Sequence, residues 1–247
     1  MILYGRNPVR EALRGRRAAS VAEVWATRGA AREPWLAGVP GVRAAAAEEI
    51  AERCGSGAHQ GVCARAGEYP YAAADDLLAG EAPLLVALDQ VQDPQNLGSI
   101  CRTAECAGAA GVVIPERRAV EVTPAVCKAS AGAVEHLPIA RVRNLADFLA
   151  DAREAGCWCY GASPAGDGAP ERASGGHAAV AYDAPDYRGG GVVLVLGSEG
   201  AGLRPRVSKA CDQLVALPVL GRIESLGVAA AAAAILYEIL QNRRAQA

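Results

Sequence analysis

The stretch Gly191-Val192-Val193-Leu194-Val195-Leu196-Gly197-Ser198-Glu199-Gly200-Ala201-Gly202-Leu203 decides the fold. Residues 192–196 are apolar without alternation, as in a strand buried on both faces. A glycine-rich turn follows at once. Working outward, residues 84–88, 111–114, 158–161 and 214–217 are apolar runs of the same kind. They alternate with helical patterns over 97–107, 123–134, 145–155 and 226–243. Buried strands separated by helices predict an α/β fold with a mostly parallel sheet. Such sheets bind ligands beyond the carboxyl ends of their strands, so the residues just after each run carry the functional reading.

Before this unit the pattern is different. Residues 2–4 read as a short strand, and Asn7 with Pro8 as the cap and first turn of a helix reaching about Arg14. Strands are expected at 21–27 and 62–66, with a helix over 44–53 that Gly55 ends. The organisation predicted is a small α/β unit over 1–68, a linker over 69–82 with a short helical piece at 73–78, and a larger unit over 83–247.

Composition narrows the class. Of 247 residues, 51% are hydrophobic but only 4% aromatic, so Ala, Val and Leu must fill the core. The net charge of −2 does not announce a nucleic-acid partner, and any positive surface must be local. Candidates are Arg6, Arg10, Arg14, Arg16 and Arg17 near the start, and Arg204, Arg206 and Lys209 later. The eight cysteines form no C-x₂-C pair, and His59, His136 and His177 are scattered, so no metal site is expected. Cys106, Cys127, Cys157 and Cys159 sit in apolar runs and read as reduced core thiols of a cytoplasmic protein. Arg6 and Glu11 interrupt the first apolar run, which argues against a signal peptide. The apolar stretch 228–240 is too short to span a bilayer and contains Glu238, so no membrane partner is expected.

Three loops carry the chemistry. The first runs from Asp89 through Asp93-Pro94-Gln95-Asn96-Leu97-Gly98 to Arg102-Thr103-Ala104. Asn96 and Arg102 differ by about 120° around a helix, so they converge only if Asn96 lies in the loop and Arg102 points back. An Arg near a helix start opposes the helix dipole, which suggests an anionic partner such as a phosphate. Pairing with Glu105 is the plainer alternative, and the loop alone leaves both open. The second loop, Gly197 to Leu203, lets a ligand approach the backbone, while Glu199 would repel a phosphate and suit a sulfonium, an amine or a hydroxyl. The third runs from Leu217-Pro218 through Gly221 to Ser225-Leu226-Gly227, where Ser225 would cap the last helix. No G-x-G-x-x-G follows the first strand of the larger unit, which disfavours NAD or FAD. The glycines between 161 and 176 read as a surface loop.

Taken together, the three loops resemble the signature motifs of the SpoU (TrmH-type) branch of the SPOUT RNA methyltransferases. Asn96-Leu97-Gly98 with Arg102-Thr103-Ala104 matches the first. Leu196-Gly197-Ser198-Glu199-Gly200 with Gly202-Leu203 matches the second. Leu217-Pro218, Gly221 and Ser225-Leu226 with the Ala-rich helix match the third. Lys128-Ala129-Ser130-Ala131-Gly132-Ala133 with Glu135 also looks like this family, and the resemblance covers about residues 83–245. Tyr4-Gly5, Asn7-Pro8-Val9 and His59-Gln60-Gly61-Val62 resemble the RNA-binding domain of RlmB-type large-subunit (23S) rRNA guanosine-2′-O-methyltransferases, a domain similar to certain small ribosomal proteins.

The resemblance implies a SPOUT-type α/β-knot, a deep trefoil, and a homodimer whose interface uses the final helix. It implies S-adenosylmethionine held by backbone around Gly197, Leu217 and Leu226, with Leu196, Ser198, Gly221 and Ser225 lining that site. It implies Asn96, Arg102 and Glu199 as the catalytic residues of methyl transfer to a ribose 2′-hydroxyl, with no metal. That hydroxyl separates RNA from DNA, so the partner is RNA, rRNA first. A tRNA methyltransferase and a catalytically weakened ribosome-assembly factor are the alternatives. One departure marks the third motif: Gly227 stands where the family usually has Asn.

Overall fold

In the computed structural model of the chain, residues 1–163, 179–223 and 226–244 are described. The first unit contains β1 (Ile2–Tyr4), α1 (Arg6–Ala12), β2 (Glu23–Ala26), β3 (Val42–Ala44), α2 (Ala47–Cys54) and β4 (Val62–Arg65). Its four strands are ordered β1-β4-β2-β3. β4 is antiparallel to β1 and β2, and β3 is parallel to β2. Asn7 is not the cap expected of it. The helix begins two residues earlier, at Arg6, and Gly5, at φ 96°, stands at the cap. Only glycine takes that backbone readily, and Lys128 Nζ occupies the space a Cβ would need. β3 replaces the first residue of the helix expected from 44; three residues with one half-buried side chain leave no readable pattern.

The segment between the units is packed down. Tyr69 is buried, with its hydroxyl 2.8 Å from the Val134 carbonyl. Ala72 pairs with Ala140, and Leu77 of α3 (Ala74–Leu78) is buried beneath Gly111.

The second unit follows as β5 (Leu84–Leu88), α4 (Pro94–Cys106), β6 (Gly111–Pro115), α5 (Pro124–Ala129), β7 (Ile139–Val142), α6 (Leu145–Glu154), β8 (Cys157–Ser163), β9 (Val180–Ala181), β10 (Gly191–Leu196), α7 (Pro205–Ala210), β11 (Gln213–Ala216) and α8 (Val228–Arg244). Its strands are ordered β7-β6-β5-β10-β8-β11-β9, and every neighbouring pair is parallel. Every residue of β5, β6 and β10 is buried, as the unbroken apolar runs required. Side chains alternate between two layers. Val86, Leu88 and Leu194 pack with Leu97 and Ile100 of α4 and with Ile235, Leu236 and Ile239 of α8. Leu85, Ala87, Val193 and Val195 pack with Leu145, Phe148 and Leu149 of α6 and Val207 of α7.

Four expectations are revised. The helix expected over 123–134 ends at Ala129, because Ala131 and Gly132 turn to φ 52° and 90°. α4 begins at Pro94 rather than 97, and α8 at Val228 rather than 226. Cys106 is exposed on α4, whereas Cys127, Cys157 and Cys159 are buried. Beyond Ser163, the loop expected at 161–176 lies outside the described residues; Gly161 itself is inside β8, where Leu214, Leu203 and Cys211 leave no room for a Cβ. No described helix is long and apolar enough to cross a membrane.

Candidate active site

β5 and β10 lie side by side, so the loops leaving their carboxyl ends start together. The Asp89 amide donates to the Leu196 carbonyl at 2.7 Å. The Asp89 carboxylate is fully buried and accepts from the Arg204 amide at 2.8 Å and from its Nε at 2.7 Å. This pair ties the segment after β5 to the end of the turn after β10.

Asp93 starts α4 by accepting from the Gln95 amide at 2.9 Å, with Pro94 in the first turn. Asn96 therefore sits within the helix, not in the loop before it. From there its Nδ2 donates to Glu199 Oε1 at 3.0 Å. Glu199 lies at the tip of a closed turn in which Ser198 and Gly202 exchange backbone hydrogen bonds of 3.2 and 3.0 Å. Gly200 and Gly202 take φ 81° and 65° to complete it, and the Gly202 backbone fills the place of a side chain at Gly197.

The third loop ends beside Glu199. Gly227 adopts φ 75°, and a Cβ there would lie 3.8 Å from Glu199 Oε1. Glu199 is thus the point where all three loops meet. The third loop is largely exposed, at Pro218, Leu220, Gly221, Arg222, Ile223 and Leu226. A carboxylate steadied by an amide, beside open glycine and leucine backbone, attracts a cation or orients a hydroxyl.

The expected residues fall into three groups. Asn96 and Glu199 touch, and Gly197 and Ser198 build the turn that presents Glu199. Leu196 closes buried β10, while Leu217, Gly221 and Leu226 lie on the third loop; Ser225 is outside the described residues. Arg102 is exposed on α4, paired neither with Glu105 nor with any other described residue. Within one chain no contact joins it to Asn96 or Glu199.

The expected positive patches are mostly neutralised. Arg6 pairs with Glu33 and Arg10 with Glu11, each at 2.6 Å, and Arg17 is buried against Glu135. Arg204 is held by Asp89 and Arg206 by Asp147. Asp89 was not foreseen as a site-building residue, although its position as the first polar residue after β5 was the available signal. Among the described residues no group of three or more His, Cys, Asp or Glu could hold a metal ion.

Fold and site together define a parallel α/β protein with a small unit ahead of a larger one that carries the candidate site at the carboxyl ends of its strands. Residues 83–237 match the SpoU rRNA methylase family, and residues 2–72 match the RNA 2′-O ribose methyltransferase substrate-binding domain. The chain belongs to the SpoU rRNA methylase family. A putative TrmH family tRNA/rRNA methyltransferase of Bacillus subtilis is 42% identical over 194 residues, which are 76% of this chain and 72% of that one. Among solved structures, the SpoU methyltransferase AviRb from Streptomyces viridochromogenes, in complex with AdoMet, superposes with a TM-score of 0.78 at 26% identity. It covers 99% of this chain and 91% of its own. An AdoMet-bound rRNA methyltransferase from Sinorhizobium meliloti gives a TM-score of 0.77 at 28% identity, covering 97% and 86%.

Proposed function

We propose that this chain transfers the methyl group of S-adenosylmethionine to a ribose 2′-hydroxyl of RNA, the target being a guanosine of 23S rRNA. The observation that carries the reading is the meeting of Asn96 from the first turn of α4, Glu199 from the turn after β10 and Gly227 from the segment before α8. The donor fits the residues present. The third loop, exposed at Gly221 and Leu226, lies next to the turn of Gly197 and Ser198 through Gly227 and Glu199, and we assign the donor to backbone of Leu217, Gly221 and Leu226 with Leu196 and Ser198; Ser225 joins this assignment by its motif alone. Glu199 supplies a negative charge suited to a sulfonium or an amine. When bound, S-adenosylmethionine supplies an electrophilic methyl group on a positively charged sulfur.

The task left to the protein is alignment, and the hydroxyl's proton passes to solvent water as the oxygen takes the methyl group. Asn96 holds Glu199, and Glu199 orients the hydroxyl. Arg102 grips a neighbouring phosphate and stabilises the developing alkoxide, since a guanidinium does not readily release its own proton. Exposed Leu220, Ile223, Leu226 and Tyr237 border the third loop and α8, which supports a homodimer there. In that dimer Arg102, which has no partner among the described residues, is available to the second copy's site. The trefoil knot in the path of the second and third loops, and a cytoplasmic location suited to eight unpaired thiols, belong to the same proposal.

The test is incubation with labelled donor and ribosomal RNA from a strain lacking the protein, followed by mapping of methylated riboses, with tRNA as a parallel substrate. One modified ribose in large-subunit rRNA is expected. Modification of tRNA alone moves the target to tRNA, which the naming of the Bacillus relative also allows. Donor binding without transfer to any RNA overturns the reading.

A further inference from the structure

Beyond the carboxyl ends of β5, β6 and β7 lies a cleft of about 860 Å³. Arg117 and Arg118 enter it from the loop after β6, Arg143 from the end of β7, and Arg204 and Arg206 from the segment leading into α7. Asp75, Asp147 and Asp151 line it as well. The five arginines are not equivalent. Arg204 is committed to Asp89 at 2.7 Å and Arg206 to Asp147 at 2.8 Å. Arg117, Arg118 and Arg143 are exposed, and their side chains have no hydrogen-bond or ion-pair partner among the described residues. Arg118 holds φ 58°, a conformation that non-glycine residues seldom adopt.

Three uncommitted guanidinium groups outnumber the two uncommitted carboxylates of the same lining, Asp75 and Asp151, so the cleft keeps a positive excess that favours an anion. This local excess stands out on a chain whose net charge is −2. The charged lining does not suit a small apolar ligand. Guanidinium forks match phosphate oxygens two at a time, and their spread over two loops suits a series of phosphates rather than one. The cleft also adjoins the site already described. Gln90, on its wall, directly follows Asp89, and Arg204 directly follows the turn that carries Glu199.

We infer that this cleft is a track for the phosphate backbone of the RNA strand flanking the target ribose, with Arg117, Arg118 and Arg143 as its contacts. The inference rests on the RNA-methylating reading above. A strand whose ribose lies against Glu199 carries its neighbouring phosphates past Gln90 into the cleft.

The test compares the full-length protein with R117Q/R118Q/R143Q and R117K/R118K/R143K triple variants. Binding of ribosomal RNA from a strain lacking the protein is measured across a salt series. Each lost phosphate contact on a single strand lowers the slope of log K against log salt by about 0.7, so the glutamine variant is expected to lose about 2. The lysine variant is expected to keep the slope, and both to bind S-adenosylmethionine as the wild type does in calorimetry. An unchanged slope in the glutamine variant overturns the inference. So does an equal loss in both variants accompanied by a lowered Tm, which assigns the arginines to the fold. Competition of inorganic phosphate for the cleft without any change in RNA slope assigns it to a free anion and also overturns it. Failure of the wild type to methylate RNA sinks the earlier reading separately, and the salt slope still decides the cleft.

Discussion

Gly227 concentrates the chemistry of the site in one backbone angle. At φ 75° its N–H and C=O are turned so that a Cβ would point at Glu199 Oε1 from 3.8 Å, an ordinary contact. Asn is among the few side chains tolerated in that left-handed region, and its amide would reach the carboxylate that Asn96 already holds. The G227N variant is therefore expected to keep its Tm and to raise methyl incorporation. G227A, lacking a compensating polar group, is expected to lose about 1–2 kcal/mol in denaturant unfolding. Lower incorporation by G227N than by the wild type would show that the site has compensated in another way. At this scale Asn96 and Glu199 were legible only through the motifs they belong to, and their contact across 103 residues became visible only in the structure. Whether Arg102 is paired was not legible. Nothing in the sequence separates an Arg paired with Glu105 from one kept free for a substrate, and the structure leaves the two unpaired. Asp89 was passed over because a carboxylate after a strand looks like ordinary loop polarity until Arg204 is seen upon it.

Elements position these residues through close contacts between small side chains. Gly98 lies two positions beyond Asn96, and a Cβ on it would sit 2.4 Å from Ala129 Cβ and 2.8 Å from the Ser130 amide. α4 and α5 can pack at this distance only with glycine there. G98V is expected to destabilise the protein by about 1–3 kcal/mol in urea unfolding, through overpacking. Because α4 must move away from α5, the Asn96–Glu199 contact loosens and methyl transfer falls as well. A G98V protein of wild-type stability would refute this packing argument. The central strands were readable because burial on both faces leaves no polar interruption over β5, β6 and β10. β3, β7 and β9 were not. They occupy sheet edges, are two to four residues long, and β7 carries a half-buried Arg141. The break after α5 was also hidden, since Ala131 at φ 52° gives no sign in its side chain.

The whole molecule is joined through a buried ion pair. Arg17 of the first unit and Glu135 of the second are both almost wholly inaccessible, and Arg17 Nε donates to Glu135 Oε2 at 2.9 Å. Burial opposes the charge on Arg17, and the hydrogen bond and attraction of Glu135 more than offset it, so the guanidinium is held above its ordinary pKa. Removing one partner leaves a buried charge unpaired. R17M and E135M are each expected to cost about 3–5 kcal/mol in unfolding, and the double variant much less than their sum. Additive losses would mean that the two groups do not act as a pair. Sequence pattern had no means of finding this contact, because the partners are 118 residues apart. It also read the packed segment before β5 as a linker, since Tyr69 and Leu77 reveal their partners only in three dimensions. The central claim concerns the oxygen that receives the methyl group, and a 2′-O-methyl ribose protects its neighbouring phosphodiester from alkali. RNA methylated with labelled donor should therefore yield the label in alkali-stable dinucleotides with the wild type, and far less of it with N96A. Label recovered in mononucleotides, as base methylation gives, would contradict the account.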